Sequence, residues 1–239
     1  MKSIEQIDTE NDTKSLISSF VNLIGLPELS KKVNFKRRSV ISLTMIVSWL
    51  VSVHFARLSL FRAKDGKYFS VRTVRNVLND GRINWQKLLC LICARLVSCL
   101  KPVIDKRHRL AFIVDDTLIA HACSKKTELL AKVYDHDKHE YLTGYRGLTL
   151  GWSDGNTFLP VNFALMLTNN KKNMIGSALV TQDERFIACK RRMQTQRKMN
   201  DVTIELISQA VKLEVEAKYV LFDSWFTSPK MFWILKKLG

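Results

Sequence analysis

Two short apolar runs in this chain are each followed directly by aspartate. Residues 110–114 (LAFIV) lead into Asp115, Asp116 and Thr117, and residues 219–222 (YVLF) lead into Asp223. Continuous apolar runs of this length suit strands buried on both faces. If the two strands lie side by side and parallel, the carboxylates at their ends meet. Two carboxylates so placed repel each other unless a cation sits between them, and a ligand set made only of oxygen favours Mg²⁺ or Mn²⁺. Such a pair can hold two ions about 4 Å apart, one activating a nucleophilic oxygen and the other stabilising the leaving oxygen of a phosphodiester. Side chains alternate along a strand, which sends Asp115 and Thr117 to one side and Asp116 to the other. Asp115 is therefore the assigned ligand beside Asp223, with Asp116 the alternative if the strand ends earlier.

The intervening sequence supplies the elements that must position this pair. Residues 148–152 and 158–167 read as strands joined by the turn SDGN at 153–156, a hairpin signal, and Pro160 suggests that the second strand starts near an edge. A helix capped by Asn200 or Asp201 follows, with Val202, Leu206 and Ala210 on one i+4 row and Ile207, Val211 and Val215 on another. A crossover helix feeding residues 219–222 makes that strand parallel to an earlier one, and residues 110–114 are its natural neighbour. Ser228 and Pro229 open a last helix. The expected class is α/β, a mixed sheet preceded by an α-helical N-terminal region.

Charge divides the chain of 239 residues, whose formal net charge is +16. Residues 1–30 hold two bases and five acids, residues 31–108 hold 17 bases and three acids, and residues 109–239 hold 19 bases and 14 acids. A helical region of such positive density repels itself unless a polyanion is its usual neighbour. After Pro102 and the basic stretch 106–109 the composition changes, which places a domain boundary near residue 105. Within the basic region, residues 70–81 read as a helix capped by Ser70 and ended by Gly81, with Val71, Val74, Val77 and Leu78 on one face. Arg72, Arg75, Asn76 and Asn79 occupy the other face. Bases and amides at that spacing reach phosphates and base edges in a major groove, and a solvated helix face would carry the same pattern.

Other features point away from competing classes. An apolar content of 46% excludes wholesale disorder. Five cysteines without a repeated spacing argue against a disulfide framework, and Cys90, Cys93 and Cys99 read as buried helix residues. Residues 1–14 lack the apolar core of a secretory signal, which suggests a cytoplasmic protein. Residues 39–56 carry no formal charge but include five Ser or Thr and His54, so a buried helix with a polar stripe is expected rather than a membrane span. Asp135, His136, Asp137 and His139 gather in one polar stretch that lacks a fourth ligand at fixed spacing and reads as a loop or hairpin. Lys125, Lys126 and Arg146 are candidate DNA contacts or plain surface bases. The run at 189–199 is stronger, because Lys190, Arg191, Arg192, Arg197 and Lys198 could track a phosphate backbone.

The stretches FIVDDT, KKTELLAKVYDHDKHEYLTGYRGLTLGWSDGNTFLPVNFAL and YVLFDSWFTSPKMFWILKKLG together resemble the DDE insertion-sequence transposases of the type founded by insertion sequence four, over about residues 109–239. The resemblance implies a ribonuclease-H-like core in which the first catalytic Asp matches Asp115, or Asp116, and the second matches Asp223. It also implies Mg²⁺-dependent nicking of double-stranded DNA at element ends and joining of the freed 3′-hydroxyls to target DNA, with self-association on the DNA. The family's third catalytic residue is a Glu on a helix well beyond the second Asp, and no Glu follows Asp223 in the 16 residues that remain. Glu205, Glu214 and Glu216 precede that Asp and do not match it. The expectation is a helical DNA-binding region at 1–105 and an incomplete, truncated core at 106–239, inactive in cleavage. The alternative is a non-catalytic DNA-binding remnant that occupies element ends or pairs with an intact copy.

Overall fold

The computed structural model describes residues 10–36, 39–125, 127–135, 138–168, 170–176 and 183–238. Five helices come first: α1 (Glu10–Leu23), α2 (Leu26–Lys32), α3 (Leu43–Phe55), α4 (Val71–Leu78) and α5 (Trp85–Leu100). Then follow β1 (Ala111–Ala120), β2 (Ala131–Asp135), β3 (Glu140–Ser153), β4 (Phe158–Met166), α6 (Ile187–Thr195), α7 (Met199–Lys212), β5 (Tyr219–Phe222) and α8 (Pro229–Leu238). The chain divides into two compact units, residues 1–88 and 89–239.

In the first unit α1 and α2 both pack on α3, burying Ile17, Val21, Leu26, Leu29, Leu43 and Ile46. The uncharged stretch at 39–56 forms α3, only 13 residues long and capped by Ser42, whose side chain accepts a hydrogen bond from the Met45 amide. Among the described residues no helix is long and apolar enough to cross a membrane. The helix read at 70–81 is α4, capped by Ser70 as expected, with Val74 and Val77 buried. It stops earlier than expected, because Asn79 rather than Gly81 is the C-cap and the Asn79 amide bonds back to Arg75 and Val77.

The second unit is built on a five-stranded sheet ordered β2-β3-β1-β5, with β4 also paired to β3. β1, β3 and β4 form an antiparallel meander, and β5 runs parallel to β1 as the crossover through α7 requires. The turn at 153–156 follows its sequence signal: Asp154 accepts from the Asn156 and Thr157 amides, and Gly155 takes φ 96°. Two strands are longer than their apolar runs. β1 continues through Asp115 and Asp116 to Ala120 because β3 pairs with it throughout, from Ala111 opposite Ser153 to Ala120 opposite Gly144. Gly144 also pairs with Ala131 on its other side, and a Cβ there would stand 2.2 Å from the Ile119 carbonyl oxygen, so only glycine fits.

The core lies on one sheet face. Phe112, Val114, Leu148, Leu150 and Trp152 meet Val202, Leu206, Ile207 and Ala210 of α7 and Cys90, Cys93 and Val97 of α5. Burial pushes both the Cys90 and Cys93 thiols up to about 12, which leaves them inert; Cys99, expected among the buried thiols, is exposed. The N-cap of α7 is Lys198, so Asn200 and Asp201 fall in its first turn instead of capping it. Val211, placed by spacing on the apolar row, is partly exposed, whereas Val215 is buried beyond the helix end. A mixed sheet with this order, backed by helices and preceded by a helical region, is the α/β architecture of ribonuclease-H-like proteins.

Candidate active site

Parallel pairing of β1 and β5 runs from Ala111 opposite Tyr219 to Val114 opposite Phe222. Asp115 and Asp223 are the next residues on each chain. Residues paired across parallel strands project to the same side, so Phe112, Val114, Val220 and Phe222 turn into the core while Asp115 and Asp223 extend the opposite row. Both aspartates are exposed.

The local backbone holds each of them. Asp223 has extended angles, φ −67° and ψ 152°, and caps a short 3₁₀ turn (Ser224–Phe226), its Oδ1 accepting from the Ser224 amide at 2.5 Å and the Ser224 hydroxyl at 3.2 Å. That turn is fastened from below: Phe226 is fully buried, and its carbonyl oxygen accepts from Asn200 Nδ2 at 3.1 Å. Asp115 Oδ1 accepts from the Asp116 amide at 2.8 Å, and Thr149 of β3 donates its hydroxyl to the Asp115 carbonyl oxygen at 3.1 Å. The Oδ2 atoms of Asp115 and Asp223 accept no hydrogen bond from a described residue, and neither carboxylate makes an ion pair with one. Exposed, hard oxygen donors just past the last β1–β5 pair, without an ion pair to a described residue, fit a Mg²⁺ or Mn²⁺ ion. Asn200 and Thr149 were invisible as site supports in the sequence, since a lone Asn in a first helical turn and a strand Thr carry no signal of their own.

Asp116 occupies a different environment. Its side chain is only 4% exposed and pairs with Arg146 of β3, Nη1 to Oδ2 at 2.5 Å, while Arg146 Nη2 donates to the Tyr134 carbonyl oxygen at 2.8 Å. Arg146, a candidate DNA contact by sequence, is thus spent inside the fold. Beyond this pair lies a cavity of about 370 Å³ lined by Lys132, Tyr134, Tyr141 and Trp225.

The basic run is also divided by the fold. Arg191 is largely buried at the 26% exposed level, near Glu205 and Gln194, and burial holds its guanidinium below the usual arginine range. Arg192 pairs with Glu128, and Arg197 pairs with Glu205 at 2.5 Å. Lys190 and Lys198 are exposed. On α4, Arg72, Arg75, Asn76 and Asn79 all stand exposed. Lys125 is exposed as well, and Lys126 lies outside the described residues.

The polar stretch at 134–139 forms the connection between β2 and β3, which pair from Asp135 opposite Glu140. His136 and Asp137 lie outside the described residues, and among those described no group of three or more His, Cys, Asp or Glu could hold a metal ion. The two aspartates therefore stand as a pair.

The second unit thus combines a ribonuclease-H-like mixed sheet, helical cover and an exposed pair of aspartates. A family model for DDE superfamily endonucleases matches residues 59–239, and the protein belongs to that family. No curated protein and no solved structure matches the chain.

Proposed function

We propose that this protein is an insertion-sequence transposase of the type founded by insertion sequence four, with Asp115 and Asp223 as two of its catalytic acids. The observation that carries the reading is that Asp115 and Asp223 directly follow Val114 and Phe222, the last residues paired between β1 and β5, in a chain of the DDE superfamily. Asp116 is the less favoured ligand because its carboxylate is buried and already neutralised by Arg146. What a bound Mg²⁺ or Mn²⁺ supplies is charge to activate an attacking oxygen and stabilise a leaving one on a phosphodiester. The chain's own part is geometric: Asp115 is fixed by its strand, and Asp223 by the buried Phe226 and by Asn200 below it.

In this reading residues 1–105 bind double-stranded DNA, at element ends and at the target, and residues 106–239 form the catalytic core. Arg72 and Arg75 are the principal contacts of the first region, with Lys190 and Lys198 favoured over the paired Arg191, Arg192 and Arg197 in the second. Work on DNA puts the protein with the nucleoid of a bacterial cytoplasm. Self-association draws support from exposed apolar groups on the second unit, among them Leu221, Phe232 and Trp233, although Met231 beside them is buried.

One observation favours the second reading, a DNA-binding remnant acting at element ends or with an intact copy. The acidic pair has no third acid grouped with it among the described residues. Loss of one ligand from a catalytic metal pair costs several orders of magnitude, since attacking and leaving oxygens are no longer held in line. The purified chain is therefore expected to bind supercoiled plasmid in Mg²⁺ without nicking it. Robust nicking that disappears in Asp223→Asn would reject the inactive reading and establish the enzyme.

A further inference from the structure

The segment between α3 and α4 is short of acids and rich in exposed side chains of two kinds. It carries Arg57, Arg62, Lys64 and Lys67 against a single Asp65. It also carries Phe61, which is 87% exposed, and Tyr68, 64% exposed, with Lys67 Nζ 5.2 Å from the Tyr68 ring centre. What sets Phe61 apart is its setting, a large ring presented to solvent amid four bases.

This segment is an ordered turn. The Ser59 carbonyl oxygen accepts from both the Arg62 and Ala63 amides, which puts Phe61 at the tip of a closed turn. Arg57 takes φ 54° just past α3, and the Arg57 and Leu58 amides bond back to the His54 and Val53 carbonyls. Helices commonly end in this way with glycine at the left-handed position; an arginine there keeps a charge at some backbone cost. The segment is then fastened to α4 twice. Arg75 Nη2 donates to the Leu60 carbonyl oxygen at 3.4 Å, and Asp65 accepts from the Val71 amide at 2.8 Å. The only acid of the segment is thereby consumed in holding the start of α4, and the Arg75 side chain of that helix reaches back to the turn.

From this geometry we infer that Phe61 is a wedge that inserts between base pairs of duplex DNA while Arg57, Arg62 and Lys64 hold the flanking phosphates and α4 lies alongside. The inference rests on the proposal that the helical region binds DNA and specifies how. Apolar wedges flanked by cations unstack base steps and bend or unwind the duplex, and the exposed ring gains an apolar slot in return. A lipid surface would also accept a phenyl ring among bases. It would have no use for Asn76 and Asn79, whose exposed amides on the neighbouring helix suit base edges.

The test uses the full chain and a relaxed closed-circular plasmid with topoisomerase I, at about 50 mM salt where phosphate contacts are strong. Bound protein is expected to lower the linking number of the recovered plasmid. Phe61→Ala, at a site too exposed to carry the fold, is expected to abolish that change and to weaken binding by about tenfold, as losing one stacked aromatic does. Phe61→Leu should retain much of the unwinding. Salt-sensitive binding without unwinding, or unwinding that survives Phe61→Ala, overturns the wedge while leaving DNA binding intact. Absence of plasmid binding by the unmodified chain overturns the DNA-binding reading itself. Phe61-dependent binding to phosphatidylserine and phosphatidylcholine vesicles without plasmid unwinding would assign the turn to a membrane surface and reject the wedge.

Discussion

Asp115 and Asp223 each follow a member of the last pair in the parallel β1–β5 ladder, Val114 and Phe222, although 108 positions of sequence separate them. β5 ends there, whereas β1 runs on along β3, so the second aspartate sits on a turn beside the middle of a long strand. If the pair holds a metal ion as proposed, binding is linked to fold stability.

Mg²⁺ or Mn²⁺ is expected to raise the thermal midpoint of the purified chain, by mass action worth about 2.7 kcal/mol at a hundredfold excess over Kd. Asp115→Asn and Asp223→Asn should each remove most of that gain. Neither should lower the stability of the metal-free protein, since each substitution relieves repulsion between neighbouring carboxylates. Differential scanning fluorimetry across a metal titration checks this, and an undiminished gain in either variant contradicts the shared site.

Asp116 should behave in the opposite way. Its buried pair with Arg146 is part of the packing, and removing one partner leaves the other charge without compensation. Asp116→Ala is expected to cost about 3 kcal/mol in urea unfolding, while the double change Asp116→Ala with Arg146→Met recovers part of the loss. The metal-induced gain should persist in Asp116→Asn. If that gain vanishes there and survives in Asp115→Asn, the ligand assignment is reversed.

Asp154 sets a dependence on acid. The Thr157 amide, at 2.6 Å from Oδ1, is the chief cause that holds its carboxyl below the usual carboxylate value, with the Asn156 amide assisting. A folded value below the unfolded one contributes stability that is present in full above the unfolded value and is lost as pH falls through the folded one. The thermal midpoint should therefore drop as pH is lowered below about 4, and drop less steeply in Asp154→Asn. Parallel slopes for the two proteins would show that the turn between β3 and β4 contributes nothing to acid sensitivity.

How much of this was legible in the sequence follows from how local each signal is. The apolar runs at 110–114 and 219–222, the helix between them and the turn at 153–156 are all encoded by neighbouring residues, and together they required the parallel pairing of β1 with β5. The cap at Ser70 and the outward row of Arg72, Arg75, Asn76 and Asn79 were equally local. Strand ends were not, because β1 is carried past its aspartates by hydrogen bonds to β3, a partner that begins 20 residues after β1 ends. Nor could the sequence divide its bases into free and engaged. Arg146 became the partner of Asp116, Arg192 of Glu128 and Arg197 of Glu205, since an arginine's role depends on which carboxylate the fold brings within reach. The residue types determined what chemistry was available, and the tertiary structure decided which charges were left over to perform it.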